Sequence, residues 1–181
     1  MEEIVDYSGF FLETKSLVLK KAKEEDWEEI YKNLWSHKES AKYMLWDVTT
    51  SETEAINRIR RTVDFQKVNK YAFFVYEKNT NIPIGFAGMK EIEPGVYEDI
   101  GIALGPDYTR KGYGIEILNA LVEEAKSCGG HKFVASCRKQ NIASHQLQMR
   151  CGFHFVSEET RIDPRTGESY LLEINEKQLD K

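Results

Sequence analysis

The stretch Ile100-Gly101-Ile102-Ala103-Leu104-Gly105-Pro106-Asp107-Tyr108-Thr109-Arg110-Lys111-Gly112-Tyr113-Gly114-Ile115-Glu116 decides how this chain is read. Its first five residues finish a strand that begins at Tyr97. Its last residues open an amphipathic helix running from Gly112 to about Cys128, with Ile115, Leu118, Leu121, Val122 and Ala125 on one stripe. Gly129-Gly130 ends that helix. A helix start exposes unpaired backbone N–H groups and a partial positive charge, so the loop between strand and helix suits an anionic phosphate. Gly112 and Gly114 remove side chains that would hold a pyrophosphate off the backbone, and Arg110 and Lys111 add charge at the rim. The spacing is not GxGxxG, because position 117 is Ile, and no Gly-Lys-Ser/Thr completes a P-loop.

Upstream, Tyr71–Glu77, Ile82–Glu91 and Tyr97–Leu104 read as an antiparallel meander turning at Asn79-Thr80-Asn81 and Glu93-Pro94-Gly95. Before it come an alternating strand, Ser16–Ala22, and a helix from Glu24 to Trp35 carrying Trp27, Ile30, Tyr31 and Leu34. A short helix around Glu39–Tyr43 follows. Then Ser51 and Glu54 form a capping box that starts a helix bearing Ile56, Ile59 and Val63. Downstream lie a strand at Lys132–Cys137, a helix at Asn141–Arg150, and closing strands at Phe153–Glu158 and Tyr170–Ile174 around the loop Asp163-Pro164-Arg165-Thr166-Gly167. A meander followed by strand–helix–strand predicts a single α/β (α+β) domain.

The chain has 181 residues, 41% of them apolar, which fills one core and excludes disorder or a disulfide-stapled miniprotein. The net charge of −5 gives no general attraction for nucleic acid or anionic lipid, so neither partner is expected. Cys128, Cys137 and Cys151 form no CxxC, and His37, His131, His145 and His154 show no HxxxH or HExxH spacing, so no metal is expected. The acidic opening Met1-Glu2-Glu3 is unlike a signal peptide, and no apolar run is long enough to span a bilayer; a soluble, cytoplasmic protein is the expectation.

The segments Ile100–Leu104 and Thr109–Gly114 resemble the acetyl-CoA signature of the GNAT superfamily of N-acetyltransferases. Asn141-Ile142-Ala143-Ser144 and Cys151-Gly152-Phe153 resemble the "N-x-x-S … G-F" segment of its branch that acetylates ribosomal-protein N-termini. The likeness spans roughly residues 14–175. It implies a mixed, mostly antiparallel sheet of about seven strands with helices on both faces and a central splay. It implies acetyl-CoA as co-substrate, held by Ile102, Ala103, Leu104, Arg110, Lys111, Gly112, Tyr113, Gly114, Ile115, Asn141 and Ser144. The implied acceptor is a primary amine: a protein N-terminus, or a small amine such as a polyamine or aminoglycoside. Trp35, Tyr43 and Trp46 lie where relatives line the acceptor pocket, and a homodimer is common among relatives. Two positions depart from the pattern. Thr109 stands where the phosphate motif has Gln or Arg, with Arg110 next to it as the charge, and Gln148 stands where many relatives carry a tyrosine as leaving-group acid.

The chemistry sets its own demands. A lysine amine, with a pKa near ~10.4, or an α-amine near ~8 must lose a proton before attacking a thioester. A carboxylate acting through water serves as base, and the developing oxyanion needs a backbone donor. Glu98 and Asp99 enter the strand before the phosphate loop; alternation sends them to opposite faces, so at most one reaches the substrate. Ser144 is the candidate hydroxyl near the thiol. The competing reading is a module that binds acyl-CoA without transferring the acyl group.

Overall fold

The computed structural model describes residues 5–180; the acidic opening Met1-Glu2-Glu3 lies outside the described residues. Eight strands form one sheet: β1 (Leu12–Glu13), β2 (Leu17–Lys20), β3 (Ala72–Glu77), β4 (Pro83–Glu93), β5 (Val96–Leu104), β6 (Lys132–Arg138), β7 (His154–Ile162) and β8 (Ser169–Gln178), in the order β1-β2-β3-β4-β5-β6-β8-β7. The strand beyond the expected seven is β1, whose two residues carry no alternation to read. All neighbours pair antiparallel except β5 with β6, which are parallel. The crossover between these two is helix α4 (Tyr113–Ser127).

Helices cover both faces. On one, Ile117, Leu118, Leu121, Val122 and Ala125 of α4 are all buried against Leu17, Leu19, Phe73, Val75, Ile84, Met89 and Phe133. Ile117 takes the core place expected of Ile115, which is half-buried at the mouth of the cleft described below. On the other face, α1 (Trp27–Ile30), α2 (Lys38–Ala41) and α3 (Glu52–Val68), with the segment joining α1 to α2, bury Ile30, Leu34, Trp35, Ala55 and Ile59 against Phe74, Tyr76 and Ala103. The central strand β3 thus feeds Phe73 and Val75 to one core and Phe74 and Tyr76 to the other, the outcome its unbroken apolar run allows.

The segment expected as one helix over 24–35 is three pieces: a 3-10 turn at Glu24–Asp26, α1, and a π turn at Tyr31–Trp35. The short helix ends at Ala41 rather than Tyr43. Ser51 accepts from the Glu54 N–H at 3.2 Å, as a capping box requires. The Glu54 carboxylate, however, takes the Thr50 N–H, at 2.8 Å.

The parallel β5–β6 pairing covers only Val96–Glu98 against Lys132–Val134. From Asp99 onward β5 keeps β4 as its partner and β6 keeps β8, so the sheet parts along its middle. Helix α5 (Ile142–Arg150), after β6, stands beside α4 on the same face. Splay, α4 and α5 together enclose the cleft.

Candidate active site

The cleft measures ≈ 780 Å³, within the usual range for small-molecule sites. One end is the N-terminus of α4. Arg110 (φ 60°) and Gly112 (φ 82°) both adopt the left-handed conformation, the kind of backbone from which anion-binding turns of successive N–H groups are built. A Cβ built on Gly112 meets nothing within 4 Å, so glycine is required there by backbone conformation and not by crowding. Thr109, Arg110, Gly112, Gly114 and Ile115 line this end.

The middle is the splay. Ile102 and Leu104 of β5 line the cleft, while Ala103, between them, points into the core under α1–α3. Asp99 is the first β5 residue beyond the parallel pairing. Its carboxylate accepts the Ser136 N–H of β6 at 3.2 Å, replacing a ladder bond that the splay removes. Burial pushes the Asp99 carboxyl up to about 7, against backbone N–H donors that favour its charged form. Glu98 turns the other way and forms a surface pair with Lys90 at 3.4 Å. Alternation thus separates the two carboxylates, and only Asp99 reaches the cleft.

The far wall is α5 with β6. Asn141 caps α5 by accepting the Ser144 N–H at 3.2 Å. Gln148 is 3% exposed; it donates to the Ser136 carbonyl (3.2 Å) and Ser144 Oγ (3.3 Å) and accepts from Asn175 Nδ2 (2.6 Å). Its amide therefore ties α5 to β6 and β8 and carries no acidic proton. The fold also gathers Cys137, His145 and Glu173 from three elements, their ligand-type atoms within 4.8 Å of one another. His145 Nδ1 and Glu173 Oε2 are hydrogen-bonded at 2.7 Å, and burial pushes the Cys137 thiol up to about 11.

At the end of β6, Arg138 also lines the cleft. Its guanidinium lies 3.9 Å over the Tyr170 ring and bonds Asp163 Oδ2 through Nη2 at 2.7 Å. Arg165, at the tip of the β7–β8 hairpin, grips the same carboxylate (Nε to Oδ1 3.1 Å, Nη2 to Oδ2 2.8 Å). It also reaches the Trp46 carbonyl (2.6 Å) and Asp47 (3.2 Å). The two arginines hold the Asp163 carboxyl well below the usual carboxylate range.

Of the remaining sequence-predicted residues, Tyr43 lines the cleft, joined by Met44. Trp35 does not: it is 1% exposed, packed edge-on to Phe74 with the Arg58 guanidinium over its ring. Trp46 borders a separate ≈ 430 Å³ hollow with Arg58, Arg61 and Phe65. Lys111 lies over the Tyr108 ring, and Tyr113 donates to Glu77 at 2.8 Å; neither lines the cleft. Sequence reading missed Ser136 and Arg138. Alternation carried on to Arg138 could have put them on one face, but not beside Asp99 or the hairpin.

One cleft thus joins a parted α/β sheet, a helix start suited to an anion and the buried Asp99 carboxyl. The chain belongs to the acetyltransferase (GNAT) domain family, whose model matches residues 16–154. An L-amino acid N-acyltransferase, MnaT, of Escherichia coli is 34% identical over 76 residues, 42% of this chain and 44% of that protein. The chain's match thus spans less than half of that relative. An L-methionine sulfoximine/L-methionine sulfone acetyltransferase of Salmonella typhimurium is 26% identical over 147 residues, 76% of this chain and 80% of the relative. Structural neighbours include a putative ribosomal-protein-serine acetyltransferase of Vibrio cholerae (TM-score 0.79, 22% identity, 94% of this chain and 98% of that one). The microcin C7 self-immunity acetyltransferase MccE, solved with acetyl-CoA and AMP, superimposes at TM-score 0.77 with 22% identity over 91% of this chain and 93% of that one. At such identity the structural likeness is one of fold. No described helix is long and apolar enough to cross a membrane.

Proposed function

We propose that this protein transfers an acetyl group from acetyl-CoA directly to a primary amine, with Asp99 as the general base. The observation that carries the reading is the placement of Asp99 at the start of the splay, in the same cleft as the left-handed loop and α4 N-terminus. Residues of the right kind for the donor surround that cleft. The N–H groups after Arg110 take the pyrophosphate, with the Arg110 guanidinium at the rim. Ile102 and Leu104 flank the pantetheine arm, whose amides pair with the β5 backbone where β6 has departed, and Asn141 and Ser144 stand on the other side. Acetyl-CoA supplies the acetyl group as an activated thioester.

The amine approaches from the side of Tyr43 and Met44. Asp99, ionised above about pH 7, takes a proton from the ammonium, directly or through one water. The freed amine forms the C–N bond as the C–S bond breaks. The backbone donor for the thioester oxygen comes from Ile102–Leu104, the part of β5 that lines the cleft. The amide nitrogen sheds its second proton as the C–S bond breaks, and the departing thiolate takes up a proton through solvent, since Gln148 has none to give. The curated relatives named above act on amino acids, and one structural neighbour is named for a ribosomal protein; both are primary-amine acceptors.

Thermal shift with acetyl-CoA, CoA and ATP tests the donor site, and free-thiol release with an amine panel tests transfer. Stabilisation by both CoA forms but not ATP, with amine-dependent thiol release, is the expected result. No shift with either CoA form would overturn the donor assignment. Binding without release above the hydrolysis background would make this a non-catalytic holder of acyl-CoA.

A further inference from the structure

The acceptor side of the cleft contains a cation that donor binding leaves unused. Arg138 is on β6, two residues beyond Ser136, whose N–H holds Asp99. Alternation puts Ser136 and Arg138 on the same face, and Cys137 on the other, toward α5. The phosphate-binding residues are at the α4 end, so Arg138 is not among them. Among the described residues Arg138 gives one hydrogen bond, from Nη2 to Asp163. Asp163 is 3% exposed and already takes Arg165 through the fork of its guanidinium and through its backbone N–H. Its charge is therefore matched before Arg138 is counted. The other charges of this wall are Arg165 and Asp47, which pair with each other at 3.2 Å, Asp47 being 79% exposed. The Tyr170 ring fixes the plane of the Arg138 guanidinium, as a bidentate site needs. Nε and Nη1 are left for a ligand.

We infer that Arg138 binds the carboxylate of the acceptor, so that the substrate is a free α-amino acid or a close analogue rather than a polypeptide N-terminus or a polyamine. This rests on the acetyltransferase reading above. Asp99 and Arg138 line the same cleft, on the two strands that part to form it. An α-amino acid, with amine and carboxylate on one carbon, can offer its amine to the first and its carboxylate to the second. A polypeptide N-terminus carries a neutral amide at that carbon, and a polyamine carries no anion. The guanidinium is preorganised by Tyr170 and Asp163, so a bound carboxylate gains charge-assisted bonds without ordering a flexible side chain.

The test compares kcat/KM for the free L-amino acids, including L-methionine sulfoximine, with their primary carboxamides, a short peptide and spermidine, in the wild type, Arg138→Gln and Arg138→Lys. The wild type should prefer the best amino acid over its carboxamide by at least tenfold, since hydrogen bonds to charged groups carry that discrimination or more. Arg138→Gln should lose about tenfold to a hundredfold on the acid and less than threefold on the carboxamide, and Arg138→Lys should recover part of the loss. Equal use of acid and carboxamide by the wild type would overturn the inference and leave the transferase reading standing. An equal loss on both by Arg138→Gln would reduce Arg138 to a support for the hairpin. Thiol release with none of these amines, while acetyl-CoA binds, would instead sink the transferase reading itself.

Discussion

Replacing Asp99 with Asn should remove activity and raise stability together, and the size of both effects follows from one group. Asp99 is half-buried, and burial lifts its carboxyl from the ordinary 3.8 to about 7. Between those two pH values the folded chain binds more protons at this group than the unfolded chain. Stability therefore falls as pH rises through that window, and the full cost is present above about pH 7. At about 1.4 kcal/mol per pH unit the interval corresponds to about 4 kcal/mol. Solvent reaches the cleft side of the residue, which halves this to about 2 kcal/mol. Asn keeps an oxygen for the Ser136 N–H and carries no charge. The Asp99→Asn variant should then melt about 4–8 °C above the wild type at pH 8, with the difference shrinking toward pH 5. In the same preparation kcat/KM should fall by about 10²–10⁴-fold. The wild-type pH–rate profile should lose about a factor of ten per unit below pH 7, a break that Asp99→Asn abolishes while the break from the amine's own ionisation stays. Differential scanning calorimetry across pH, with thiol-release kinetics alongside, reads both. A variant destabilised equally at every pH, or one within threefold of wild-type activity, would refute the reasoning.

Other consequences are open to simpler tests. Gly112→Glu should weaken acetyl-CoA binding by at least tenfold in calorimetry through bulk and charge at the phosphate loop, whereas Gly112→Ala should cost about 1–2 kcal/mol of stability from its φ of 82° alone. Gln148→Leu strands the Asn175 amide and the Ser136 carbonyl and should lower stability by about 1–3 kcal/mol in urea titration; a neutral result would mean water replaces the network. Exposed Cys128 should alkylate first at pH 8, with buried Cys151 and Cys137 far behind, and acetyl-CoA should slow Cys137 further, as peptide mass mapping would show.

Much of this protein is local, and the sequence by itself determined it. The run Ala72–Tyr76 is apolar at every step and reads as a strand, and Gly112 and Gly114 ahead of a helical stripe mark where a helix opens. Alternation alone required Glu98 and Asp99 to part, although it did not say which faced inward. Tertiary structure decided that, because the direction depends on where β5 loses β6 as a partner, three residues into their pairing. It also decided the fate of Trp35, an aromatic at a helical spacing equally suited to pocket or core, which Phe74 and Arg58 help to cover. The wall around Arg138 was the least legible part. Arg138, Asp163, Arg165 and Trp46 span more than a hundred residues of chain, and each alone is an ordinary charged or aromatic residue. Their meeting depends on β8 inserting between β6 and β7, which swings the hairpin tip across the sheet onto the loop before α3. Periodicity reports which face of its own element a residue occupies; only the packing of elements fixes what that face meets.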